Sequence, residues 1–200
     1  AVMMAAVAVS ALATGALPHR LAGPSIASLV GPVFAVWLMG IGMISAAAAG
    51  RLWIGIALAV LTAVILAAML RLAGLMFTAD LSATALAVLI ASASFAARGT
   101  LFARSAGRRG WWIAVGVVAG EAAVLFTAWA MPGSLPNSLL ALLPAQWANT
   151  AITATFNQVG TRFAPAELSA LAATAAATLL VVRLWPRRWP YIVMFTAWLA

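Results

Sequence analysis

Residues 111–131 read WWIAVGVVAGEAAVLFTAWAM. Twenty of these twenty-one residues suit hydrocarbon. The eleventh, Glu121, sits at the middle of the run. The length matches the ~20 apolar residues that a helix needs to cross ~30 Å of lipid. The run is continuous rather than alternating, so it reads as a helix and not as a barrel strand. In lipid a helix satisfies its own backbone hydrogen bonds. What a carboxyl group does half-way along it is the question that the rest of the chain must answer.

Working outward, similar runs recur. The chain of 200 residues is 66% hydrophobic and 7% charged, far from the make-up of a soluble domain. Six spans are expected, at roughly 2–17, 25–49, 52–74, 81–103, 111–131 and 165–184, forming an all-α polytopic membrane bundle. Breaks fall at Pro18-His19-Arg20, Gly50-Arg51, Thr78-Ala79-Asp80, the basic loop 104–110 and Pro132-Gly133. Pro165 and Glu167 suit the first turn of the last span. Segment 132–164 is too apolar for a solvated loop. It is expected to be an external interfacial or re-entrant piece, with a short helix around Leu139 to Leu143. The tail 189–200 reaches only ~18 Å as a helix, an interfacial helix or the start of a seventh span.

Arginine sets the expected orientation. With loop 104–110 in the cytoplasm, that side collects Arg51, Arg98, Arg104, Arg108, Arg109, Arg183, Arg187 and Arg188. The other side keeps Arg20, Arg71 and Arg162. Such a bias places the N-terminus in the cytoplasm, here of a bacterial inner membrane. Trp53, Trp111, Trp112, Trp185 and Trp189 fall at cytoplasmic edges, and Trp129 and Trp147 near the outer one, as interfacial anchors do. The first span lacks a basic leader and no cleavage site precedes a soluble region, so no secretory signal is expected.

Composition narrows the chemistry. There is no cysteine and one histidine, His19, which rules out disulfides, thiolate metal sites and bis-histidine haem within this chain. His19-Arg20 reads as an external turn. No phosphate-binding glycine loop, no catalytic carboxylate pair and no nucleophile with a base is visible. Neither an enzyme, a metal site, a cofactor nor nucleic-acid binding is expected. The net charge of +8 is read as topology.

Four groups remain. A mid-membrane acid costs about 3 kcal/mol on insertion scales, so Glu121 is expected to face protein. Gly116 and Gly120 form a small-xxx-small pair that lets a second helix approach closely, placing Glu121 beside a helix contact. Arg98 lies inside the fourth span, about 9 Å from Arg104 by helix rise; it either pairs with Glu121 or snorkels to the headgroups. Glu121 is then neutral or paired, holding helices together, or it serves a proton, cation or substrate path. Arg71 and Asp80 can form an interfacial pair across a short connection. The loop 104–110 with Trp111-Trp112 contacts anionic lipid or, less simply, a cytoplasmic partner.

Several local patterns coincide with a known architecture. A span ends in Phe95-Ala96-Ala97-Arg98 and then Ala103-Arg104-Ser105. After the next span comes Met131-Pro132-Gly133-Ser134-Leu135-Pro136, then Leu142-Leu143-Pro144-Ala145-Gln146-Trp147. The stretch from about Leu86 to Arg188 resembles the C-terminal half of exporter-type permeases of ABC transporters. The resemblance implies a six-span subunit with an external re-entrant piece, paired with another permease and a cytoplasmic ATPase. The front half departs from that pattern, because Ala46 to Arg51 leaves no room for a coupling helix. Two other readings stay open: a non-catalytic accessory subunit of a respiratory or photosynthetic membrane complex, and a small proton-coupled carrier resting on Glu121.

Overall fold

A computed structural model describes residues 26–72, 81–156 and 165–184. The expected span 2–17, the tail 189–200, His19 and Asp80 lie outside the described residues. All regular structure among the described residues is helical. In chain order it runs α1 (Ile26–Ala49), α2 (Leu52–Leu72), α3 (Leu81–Ala106), a 3-10 turn (Gly107–Arg109), α4 (Gly110–Ala130), α5 (Asn137–Ala141), α6 (Pro144–Phe156) and α7 (Pro165–Leu184).

Four helical stretches are long and apolar enough to cross a membrane: Ser28–Ala49, Leu52–Leu72, Leu81–Ala130 and Pro165–Leu184. The third is 50 residues long and is folded back on itself. Gly107 takes a φ of 56°, a backbone that glycine adopts freely and other residues rarely do. Gly110 then lies against the Phe102 carbonyl, eight residues back. In a straight helix those residues would be about 12 Å apart. The stretch is therefore a hairpin of α3 and α4. α3 runs three residues past the expected end at 103, because nothing before Gly107 breaks it.

Cross-links between side chains fix the directions. Arg104 Nη1 donates to the Val182 carbonyl at 2.7 Å, so the ends of α3 and α7 share one end of the bundle. Ser94 Oγ lies 3.2 Å from Thr174 Oγ1, which makes the two helices run parallel. Trp129 Nε1 donates to Ser28 Oγ at 3.1 Å, putting the end of α4 beside the start of α1. One end of the bundle consequently carries Arg51, Arg104, Arg108, Arg109 and Arg183. Arg71, in the last turn of α2, is at the other.

α1 and α3 are the centre. α1 packs on α2, α3, α4 and α6, and α3 adds α7. Phe34, Leu38, Met39 and Met43 of α1 are fully buried, as are Ala91, Phe95, Ala96 and Ala97 of α3. Lipid is as apolar as these side chains, so close packing rather than water exclusion drives the association. Small residues make it close. A Cβ on Gly99 would collide with the Met43 carbonyl oxygen, and one on Gly55 would sit 2.6 Å from the Gly42 carbonyl oxygen. α2 turns Leu61, Val64, Ile65 and Met69 outward, the surface expected of a lipid-facing helix.

The segment after α4 does not stay at the bundle end. α6 begins at Pro144 beside Glu121 and finishes near the start of α3, where Thr84 Oγ1 donates to Thr155 Oγ1 at 3.1 Å. Glu121 lies nine residues below the end of α4, a depth of about 13 Å. Residues 131–143 descend by that amount and α6 climbs back. α6 spans about 20 Å, too short to cross, and is covered by α1, α3, α4 and α7. It enters the core through Ala145, Ala148, Ala151 and Ile152, facing Gly31 of α1, where a side chain would meet Asn149 and Thr153.

Candidate functional site: a carboxylate at the start of a buried half-helix

The first turn of any helix leaves N–H groups without intrahelical partners. For α6 these groups sit half-way along an apolar bundle, where water is scarce and an unsatisfied donor is costly. Each is accounted for. Pro144, at the first helical position, has no N–H to satisfy. Ala145 N–H donates to Glu121 Oε2 at 3.1 Å. Gln146 N–H donates to the Leu143 carbonyl at 2.9 Å, and Trp147 N–H to the same oxygen at 3.3 Å. Leu143 has no side-chain oxygen with which to cap its own helix, so α4 supplies one. The approach to α6 is bonded in the same way, through Leu142 to Leu139 and Leu143 to Leu140.

The arrangement suits a carboxylate on two counts. A helix start carries roughly half a positive charge, and an acid near it is worth up to about 2 kcal/mol when partly buried. Arg98 supplies the second. Its side chain is fully buried, its guanidinium carbon lies 5.6 Å from the centre of the Phe95 ring, and it and Glu121 feel each other's charge. Arg98 is buried and does not snorkel. Glu121 is 6% exposed. Its second oxygen, Oε1, has no hydrogen-bond partner among the described residues. Two elements thus meet at one polar point, α4 through Glu121 and α6 through its first turn, with the buried Arg98 of α3 within electrostatic range.

Gly116 and Gly120 are not part of this point. Both are exposed, and a Cβ on either would meet nothing within 4 Å, so no close contact is made there among the described residues. Gly99, Gly55 and Gly31 make the close approaches instead. The inward face of α4 is Gly110, Ala114, Glu121 and Leu125. Trp147 also differs from expectation: it stands two residues after Ala145, part-buried against the core, rather than at an outer edge. Arg71 is exposed at the end of α2, and its expected partner Asp80 lies outside the described residues. Arg108 and Arg109 are exposed in the 3-10 turn beside a stacked Trp111–Trp112 pair, ring centres 4.0 Å apart.

Reading the sequence alone did not find Ala145, whose contribution is a backbone N–H. The one available signal was Pro144, a residue suited to a helix start with no capping side chain before it. Among the described residues no cluster of three or more histidines, cysteines or acids is placed to hold a metal ion. Compared with protein-family profiles, curated proteins and solved structures, the chain matches none of them.

Proposed function

We propose that the chain is an integral membrane subunit of a transport complex, of the exporter-permease kind, set in a bacterial inner membrane with its arginine-bearing end in the cytoplasm. The observation that carries this reading is the half-helix α6, whose first turn is held at mid-depth by Glu121. Broken helices and re-entrant backbone are tolerated in membranes only where protein or a water-filled cavity surrounds them. Transporters use them at substrate and ion paths, whereas a subunit that only fills space has no need of one. The position in the chain also fits: the dip falls between the last two long helices, where the resemblance to exporter permeases calls for it.

In this reading α5 and α6 close the outer half of the bundle among α1, α3, α4 and α7. Glu121 is the fixed point from which they hang, and its first role is to hold α6 in register with α4. The turns at the arginine end, Gly50–Arg51 and Gly107–Arg109, are two and three residues long. Contact with an ATPase is accordingly assigned to the assembled complex and not to either turn.

The reading is tested by purifying the tagged full chain from its own cells in a mild detergent. The expected result is a stoichiometric partner bearing a nucleotide-binding P-loop, with ATP hydrolysis by the complex. Stoichiometric haem-, quinone- or pigment-bearing subunits in its place would overturn it. So would a chain that, purified alone, carries out proton-driven exchange in vesicles.

A further inference from the structure

We propose that the arginine-bearing end of the bundle holds anionic phospholipid, with the headgroup phosphate taken by Arg108 and Arg109 and the acyl chains running down the outside of α4. The proposal rests on the orientation given above and is independent of what the chain transports.

The first observation is an excess of charge with no acid beside it among the described residues. Arg51, Arg104, Arg108, Arg109 and Arg183 all lie at this end and are exposed. The whole sequence has three acids. Glu121 is buried at mid-depth and Glu167 stands in the first turn of α7 at the far end; the third, Asp80, lies outside the described residues. Neither described acid balances this end, and an anion from outside the described residues is what the charge calls for.

The second observation is geometric. Arg104 spends one N–H on the Val182 carbonyl, tying the last turn of α3 to the last turn of α7, where Arg183 is exposed. Arg108 and Arg109 follow on a turn of three residues, held in place by Gly107 at a φ of 56° and by Gly110 against the Phe102 carbonyl. So short a turn keeps both guanidinium groups at the level of the headgroups. It gives a soluble protein little to grip.

The third observation is the neighbouring pair Trp111 and Trp112, stacked and 36% and 62% exposed. Indoles collect at the membrane–water boundary, and here they open α4 directly below the arginines. Beyond them α4 presents Gly116, Ala119, Gly120 and Ala123 outward, a low surface along which an acyl chain can lie. Guanidinium binds phosphate oxygens in a two-pronged fashion. A phospholipid satisfies charge, indole and apolar surface together, whereas free phosphate satisfies only the first.

The test uses the full-length chain in nanodiscs of phosphatidylcholine with or without phosphatidylglycerol, read by native mass spectrometry after release. Phosphatidylglycerol should be retained in preference to phosphatidylcholine. The Arg108→Gln/Arg109→Gln pair should weaken that retention by roughly tenfold or more, the Arg108→Lys/Arg109→Lys pair should keep most of it, and Arg71→Gln should change nothing. Helical content of each variant is checked by circular dichroism; both turn residues are exposed, so folding should survive. Equal retention of the two lipids would overturn the proposal, as would full retention by the glutamine pair. Displacement by excess inorganic phosphate would show a free-anion site instead. A glutamine pair that keeps its lipid but loses a cytoplasmic polypeptide would show a protein-docking surface instead. Loss of the ATPase partner in the native chain, with lipid retention intact, would count against the transport reading alone.

Discussion

Glu121 answers to a backbone group. Its carboxyl accepts from Ala145 N–H, which reduces the roughly 3 kcal/mol cost of an acid at mid-membrane. Removing it leaves the buried Ala145 N–H without its acceptor. Glu121→Leu should therefore destabilise the chain by about 1–3 kcal/mol, seen as a fall in thermal unfolding temperature in nanodiscs. Glu121→Gln keeps an acceptor for Ala145 and should cost less. The double variant Arg98→Leu/Glu121→Leu should lose less than the sum of the two single variants, because each residue lies in the other's field. A double variant no more stable than the sum of the singles would show that the two residues act separately. Both charges stood out in the sequence, since an ionisable group in an apolar run is conspicuous. Their meeting point did not, since an N–H of alanine has no signature of its own.

Among the helices, spacing reveals which residues share a face but not where the face points. Gly116 and Gly120 have the spacing of a packing motif, yet α4 is turned by Glu121. Once Glu121 faces inward, at 100° per residue Gly120 is rotated about 100° from it and Gly116 about 140°, and both look outward. Gly99 has only Ala103 four residues on, a spacing too common in this alanine-rich chain to stand out, and makes a close approach to α1. The two sites should respond oppositely. Gly99→Ala drives a methyl into the Met43 carbonyl and should cost about 1–3 kcal/mol, lowering the unfolding temperature. Gly116→Ala meets open space and should be neutral or gain up to about 1 kcal/mol of helix propensity. Equal losses at both would mean that Gly116 is packed after all. The apolar runs made most helix bounds legible to within three residues, but the end of α3 depended on Gly107 rather than on hydropathy. The depth of α6 was beyond sequence reading because its alternation of alanine, threonine and asparagine suits an interfacial helix equally well.

For the whole molecule, the direction of each helix follows from a few cross-links, and they agree with the arginine bias. Arg51, Arg104, Arg108, Arg109 and Arg183 gather at one end, and the chain between α4 and α7 leaves from the other and returns to it. This return is the centre of the account, because a crossing α6 would invert α7 and separate Arg183 from Arg104. The chain has no cysteine, so single cysteines can be placed without background. Ser134 follows α4, Ala166 opens α7, and both are exposed; Arg108 marks the other end. A membrane-impermeant maleimide applied to intact cells should label Ser134→Cys and Ala166→Cys alike, and leave Arg108→Cys unlabelled until the membrane is opened. Labelling of Ser134→Cys and Ala166→Cys from opposite sides would contradict the re-entrant helix and the role assigned to Glu121.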